Sequence, residues 1–157
     1  MMLWRIASTG RGYLPDDLSG TGASIDPGRW NDNGQFVVYA SPSLALAVLE
    51  TAAHIDDRGL PLNRYVIRIE VPAAIWKKRR QRTPKDLAGG WDAVPHGLAS
   101  IREGADWYSA GREALLEIPS AIVPEERNIL INARHPDAVS IKATTLRRFD
   151  YNILFRR

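Results

Sequence analysis

Glu50 is the only charged side chain in the apolar stretch from Leu44 to Ala53, LALAVLETAA. A carboxylate in such a helix must find partners or sit at the wall of a cavity, because an unpaired buried charge is strongly disfavoured. The pattern leaves two readings open. Either Glu50 and His54 form an i, i+4 pair on an exposed edge, or Glu50 faces a site where a carboxylate stabilises developing positive charge. Arg29 stands in the glycine-bounded loop Gly28-Arg29-Trp30-Asn31. Its planar guanidinium can grip a phosphate with paired bonds as lysine cannot, although most loop arginines are merely solvated. Tyr39, just upstream of the Glu50 helix, reads as a core residue whose hydroxyl needs a partner when buried.

Other residue types lead nowhere by pattern. Ser120, in Pro119-Ser120-Ala121, lacks the G-x-S-x-G turn that exposes a nucleophilic serine. His54, His96 and His135 share no metal-ligand spacing with carboxylates, so no metal site is expected. Gly10-Arg11-Gly12 begins like a dinucleotide fingerprint, but the third glycine is missing and Leu14-Pro15 opposes a helix start. The run Lys77-Lys78-Arg79-Arg80-Gln81-Arg82 could contact phosphates, yet it lacks interleaved aromatics and reads first as a solvated loop.

The elements that must position these residues are legible in part. Leu3 to Ser8 reads as a strand, followed by irregular structure from Thr9 to Asn33, long enough to be functional. Phe36 to Ala40 has the content of a buried strand. Ser41-Pro42 then reads as an N-cap and first helical position, which predicts a core helix over Pro42 to Ile55. Arg64 to Val71 alternates as a strand with Arg68 and Glu70 on a wet face. A short helix is expected near Leu98 to Tyr108. Further strands are expected over Ala114 to Val123, with Pro119 marking a bulge or an edge, and over Asn128 to Asn132 and Val139 to Ala143.

At 157 residues and 45% hydrophobic content, the chain fits one domain with one substantial core. No apolar run is long enough to span a bilayer and the N-terminus does not resemble a secretory signal, so a cytoplasmic protein is expected. With no cysteine there is no disulfide framework. The net charge of +3 is local: without the five cations of 77–82, 16 basic residues face 18 acidic ones. Direct nucleic-acid binding through that run remains the non-catalytic alternative, separable by steep salt dependence.

Taken together, Gly28-Arg29-Trp30-Asn31, Phe36 to Ser41, and Leu44 to Ala47 with Leu49-Glu50 resemble the N-terminal block of the RES domain family. Asp106-Trp107, Leu116 to Pro124, Glu126-Arg127-Asn128, and Ile131-Asn132 followed by His135-Pro136-Asp137 resemble its C-terminal block. Ala133 departs from the family pattern, where a proline commonly precedes the His-Pro-Asp triplet. The resemblance covers nearly the whole chain, 1–157, as one RES domain. It implies an α+β (mixed α/β) domain resembling ADP-ribosyltransferases, and a toxin of a type II toxin-antitoxin pair.

The resemblance further implies an Xre-type helix-turn-helix antitoxin, a homodimer, and NAD as substrate with no metal. NAD would be depleted by hydrolysis or phosphorolysis of its nicotinamide-ribose bond, or, alternatively, its ADP-ribose would pass to a specific protein. The arginine, glutamate and serine of the family name fall on Arg29, Glu50 and Ser120. On this reading Glu50 stabilises an oxocarbenium-like state and bonds the ribose. Arg29 holds phosphate, Tyr39 packs on the nicotinamide end, Ser120 orients Glu50 without attacking as a nucleophile, and Asn128 supports the NAD-binding set.

Overall fold

The structure, a computed structural model, describes residues 1–155. Among these residues seven strands form two sheets. The first is three-stranded and antiparallel, with β1 (Met2–Ser8) beside β3 (Arg64–Glu70) and β3 beside β7 (Lys142–Phe149). The second runs β2 (Val37–Ala40), β6 (Arg127–Asn132), β5 (Leu115–Pro119) and β4 (Arg80–Gln81), antiparallel except for the β4–β5 pair. Trp4 and Ser41 exchange both backbone hydrogen bonds, each 2.8 Å, and this bridge stitches the sheets together. Among the described residues there are four α-helices, α1 (Thr21–Ile25), α2 (Leu44–Ala52), α3 (Ala73–Lys77) and α4 (Leu98–Ala110), and three short 3-10 helices.

Three apolar clusters explain the layering. Leu3, Ala7, Ile67 and Ile69 meet Val38, Leu115, Ile129 and Ile131 between the sheets. On the far face of the four-stranded sheet, Val37, Leu116, Ile118 and Leu130 pack on Trp30, Trp91 and Trp107. On the far face of the other sheet, Ile6, Val66 and Phe149 pack on Ala47 and Tyr151. Strands β5 and β6 are therefore covered on both faces, which is why they read as nearly continuous apolar runs. No helix among the described residues is long and apolar enough to cross a membrane.

The mixed α+β class agrees with the expectation, and several boundaries are corrected. The helix predicted over Pro42 to Ile55 is shorter, because Ser43 caps it by accepting from the Leu46 amide at 3.1 Å. Nor is α2 a core helix: it lies on the outside of the three-stranded sheet, with Leu46 and Ala47 buried and Leu49 40% exposed. The face of β3 predicted to be wet is wet only at Arg68 and Glu70, since α2 covers Val66. Pro136–Ser140 is a 3-10 turn and the last strand starts at Lys142, later and longer than predicted. The irregular stretch Thr9 to Asn33 contains the five-residue α1. Pro119 ends β5 beyond the reach of β4, whose pairing stops at Glu117, so its missing N–H breaks no ladder there.

Candidate active site

Antiparallel pairing places the ends of β2 and β5 beside the start of β6, with Ala40 opposite Ile129 and Ile118 opposite Asn128. Ser41, Ser120 and Asn128 are thereby gathered at one end of the four-stranded sheet, and the last turn of α2 brings Glu50 to them. Ser120 Oγ and Asn128 Nδ2 both donate to Glu50 Oε1, each at 2.6 Å. Ser41 Oγ donates to Asn128 Oδ1 at 2.7 Å, which turns the amide so that its NH₂ faces the carboxylate. Ser120 is almost fully buried, and its Oγ accepts from the amides of Ile122 (3.0 Å) and Val123 (3.1 Å). Both bonds to Glu50 land on one oxygen, and Oε2 receives none among the described residues. Glu50 thus bonds to Ser120 and Asn128, and among the described residues it forms no ion pair with His54.

Tyr39 and Arg29 frame the same cavity, a space of about 730 Å³ also lined by Glu50, Asn128, His54 and His96. The Tyr39 hydroxyl donates to Asn31 Oδ1 at 2.8 Å and accepts from the Trp30 amide at 3.0 Å. Its ring passes so close to Gly28 that a Cβ there would stand 2.8 Å from the phenol oxygen, which accounts for the glycine. Burial pushes the Tyr39 pKa well above its ordinary value, outweighing the Trp30 amide and the Arg29 charge. Arg29 Nη1 donates to the carbonyls of Trp91 (3.0 Å) and Ala93 (2.8 Å), pinning the 91–93 segment where Trp91 stacks on Trp30. Burial lowers the Arg29 pKa, opposed by Asp92, Glu50 and Tyr39.

Two residues without an assigned role hold this arrangement. Asn31, completely buried, accepts from Gly28 N and Tyr39 OH and donates to the carbonyls of Ala23 and Asp32. Ser41, read from sequence as a helix cap, positions Asn128 instead. An asparagine between a tryptophan and a turn was the only sequence signal for the first, and nothing local marked the second.

The family model described as the RES domain matches residues 2–152. The chain belongs to the RES domain family. Among curated proteins it is 52% identical over 149 residues to a "Prs ADP-ribosylating toxin" of Sphingobium sp. (strain YBL2), covering 95% of this chain and 92% of that one. It is 38% identical to a "Toxin Res" of Pseudomonas putida, with 90% and 91% coverage. Among solved structures, the crystal structure of the M. tuberculosis MbcT-MbcA toxin-antitoxin complex matches with TM-score 0.65 and 16% identity, over 93% of this chain and 84% of that one. The last likeness is one of fold.

The RES domain also disposes of most of the basic run as a free cationic surface. Arg79 pairs with Glu117, Arg80 Nη2 with Glu113 Oε2 at 3.2 Å, and Arg82 Nε with Glu103 Oε1 at 2.7 Å. Three of the five cations therefore tie the β4 region to β5, to α4 and to the turn between them, and Arg79 also stacks over Trp76 at 4.0 Å. The solvated loop expected there is instead the end of α3 followed by β4.

Proposed function

We propose that this RES domain is a toxin that cleaves the nicotinamide-ribose bond of NAD and passes the ADP-ribose to a protein. The observation that carries the reading is Glu50: a carboxylate lining the cavity, fixed through one oxygen by Ser120 and Asn128, with the other oxygen receiving no hydrogen bond among the described residues. As the bond from C1′ to the pyridinium nitrogen breaks, its electron pair leaves with neutral nicotinamide and the ribose becomes oxocarbenium-like. A carboxylate held beside C1′ stabilises that charge at no reorganisation cost. The acceptor then adds to C1′ and gives up its proton to Glu50 or water.

The other assignments follow the same geometry. Ser120 orients Glu50 and is not a nucleophile, because its single proton goes to Glu50 and its two lone pairs to backbone amides. Asn128 shares that task. Tyr39 offers its ring to the nicotinamide end, since its hydroxyl is engaged with Trp30 and Asn31. Arg29 has Nε and Nη2 left for a phosphate oxygen after Nη1 has bound Trp91 and Ala93.

A protein acceptor is favoured by the 52% identical relative, named for ADP-ribosylation. Hydrolysis or phosphorolysis, which would deplete NAD outright, uses the same bond with water or phosphate as acceptor. We further infer a bound antitoxin, in keeping with the toxin-antitoxin complex of the same fold, and place it in the Xre helix-turn-helix class with a homodimeric toxin, as the family resemblance implies. Purified protein freed of any antitoxin is to be incubated with adenine-labelled NAD, with and without cell extract. Label on a protein band, alongside released nicotinamide, is the expected result. Label found only in free ADP-ribose or a phosphorylated sugar would overturn the transferase reading and leave NAD depletion.

A further inference from the structure

Two chain segments meet at Arg29 on the rim of the Glu50 cavity. One is the end of α1 and the turn after it, where Asp26 lines the cavity. The other is the stretch before α4, where the carbonyls of Trp91 and Ala93 accept from Arg29 Nη1 and His96 lines the cavity. Each segment carries a large apolar side chain in solvent: Ile25 is 75% exposed and Val94 is 87% exposed. A single exposed apolar residue is ordinary on a protein surface. Here two flank one opening, and neither belongs to any of the three core clusters.

The charges on the same rim have the wrong sign for the small substrate. Asp26 and Asp92 are exposed, and among the described residues neither has a cation within 4.0 Å. NAD carries an anionic pyrophosphate, which unpaired carboxylates at the entrance repel, slowing its encounter with the site. An acidic and apolar rim is matched instead to a partner that brings positive charge and apolar surface together.

We propose that the rim formed by Ile25, Asp26, Asp92 and Val94 is the docking surface for the acceptor protein, which meets it with a basic segment carrying an apolar side chain. This rests on the reading of the reaction as transfer to a protein. Transfer joins an acceptor side chain to C1′ in front of Glu50 as the bond to nicotinamide breaks, with the acceptor's proton passing to Glu50 or water. The surface around that side chain must then stand across the opening, whereas water or phosphate as acceptor needs no surface there. Contact with Ile25 and Val94 supplies affinity, and Asp26 and Asp92 steer the basic segment into place. The acceptor is thereby selected by the residues that surround its modified side chain.

The test compares wild type with Val94→Asp and with the double variant Asp26→Lys, Asp92→Lys, each shown to be folded by thermal denaturation. With adenine-labelled NAD and cell extract, labelling of protein should fall about fivefold or more in Val94→Asp, the loss of an apolar contact. It should fall about tenfold or more in the double variant, the loss of steering. NAD affinity, measured by calorimetry without extract, should not fall in either. A synthetic peptide alternating lysine and leucine, standing in for the acceptor segment, should bind wild type and bind the double variant about tenfold more weakly; its glutamate counterpart should not bind. Val94 is almost wholly exposed, so its variant carries the test even if the charge reversals unfold the 91–93 segment. Equal labelling by wild type and the folded variants would overturn the docking surface, leave the transfer reading standing, and give the rim to another partner such as the antitoxin. NAD affinity lost together with labelling would also overturn it, by placing these side chains in the small-substrate site. Wild type that releases nicotinamide and labels no protein would sink the transfer reading itself, and the docking surface with it.

Discussion

At the scale of single residues, the site depends on hydrogen bonds that leave few alternatives. Tyr39 is the clearest case, because its hydroxyl satisfies Trp30 N and Asn31 Oδ1 together. Tyr39→Phe leaves the Trp30 amide without its acceptor and removes one of the two donors to Asn31 Oδ1, which keeps Gly28 N, and should cost about 1–3 kcal/mol, read as a fall in Tm of about 2–4 °C per kcal/mol at this chain length. The pH dependence has a definite sign. A phenol whose pKa is raised in the folded state adds stability that is complete below its unfolded value, about 10, and is lost as pH climbs toward the folded one. The Tm gap between wild type and Tyr39→Phe should therefore be constant near neutrality and narrow above about pH 10. A gap that widens there would contradict the buried phenol. Sequence made Glu50 conspicuous as a lone charge in an apolar run, but its partners lie 70 and 78 residues away. Neither local pattern nor propensity carries such a pairing. The resemblance to the RES domain supplied Ser120 and Asn128; it gave no role to Ser41, whose bond to Asn128 appears only in the fold.

At the scale of elements, strands were easier to read than the helix that carries Glu50. β2, β5 and β6 are buried on both faces, so their apolar runs were unambiguous, whereas β7 is an edge strand with the polar sequence KATTLRRF. α2 has apolar residues nearly all round, the pattern of a core helix, yet it lies on the outside with Leu49 exposed. Periodicity cannot tell which side of such a helix the sheet will take. Helix α4 was legible, but the reason for its glycine was not: a Cβ at Gly104 would stand 1.6 Å from the Trp30 carbonyl oxygen. Contact that close fixes the loop carrying Arg29 and Asn31 against α4. Gly104→Ala must push the two apart and should cost about 1–3 kcal/mol, the usual penalty of overpacking, measured by thermal denaturation. Unchanged stability would mean that Trp30 and α4 are not packed as described.

At the scale of the whole molecule, the net charge of +3 misleads until the charges are placed. Arg79 and Glu117 are 19% and 14% exposed in their side chains, and the pair ties the end of α3 to β5. Arg79→Gln should therefore lower stability by about 1.5–3 kcal/mol, the range for a hydrogen bond to a charged group, in chemical denaturation. It should not alter any binding of duplex DNA or RNA. Loss of steep, salt-dependent nucleic-acid binding in a variant of unchanged stability would restore the alternative of a nucleic-acid-binding module. The layered arrangement, with α2 outside one sheet and α4 outside the other, leaves the Glu50 cavity open at the end where β2, β5 and β6 come together.

The most direct measurement is nicotinamide release from NAD by wild-type protein and by Glu50→Gln, with the fold of both verified by thermal denaturation. Glutamine keeps an oxygen for Ser120 and Asn128 to donate to, so the substitution removes the charge and leaves the hydrogen-bonding frame. Release by the wild type, reduced on the order of a hundredfold or more in the variant, is the expected result. Equal release by the two folded proteins would contradict the role given to the carboxylate, and with it the proposed active site.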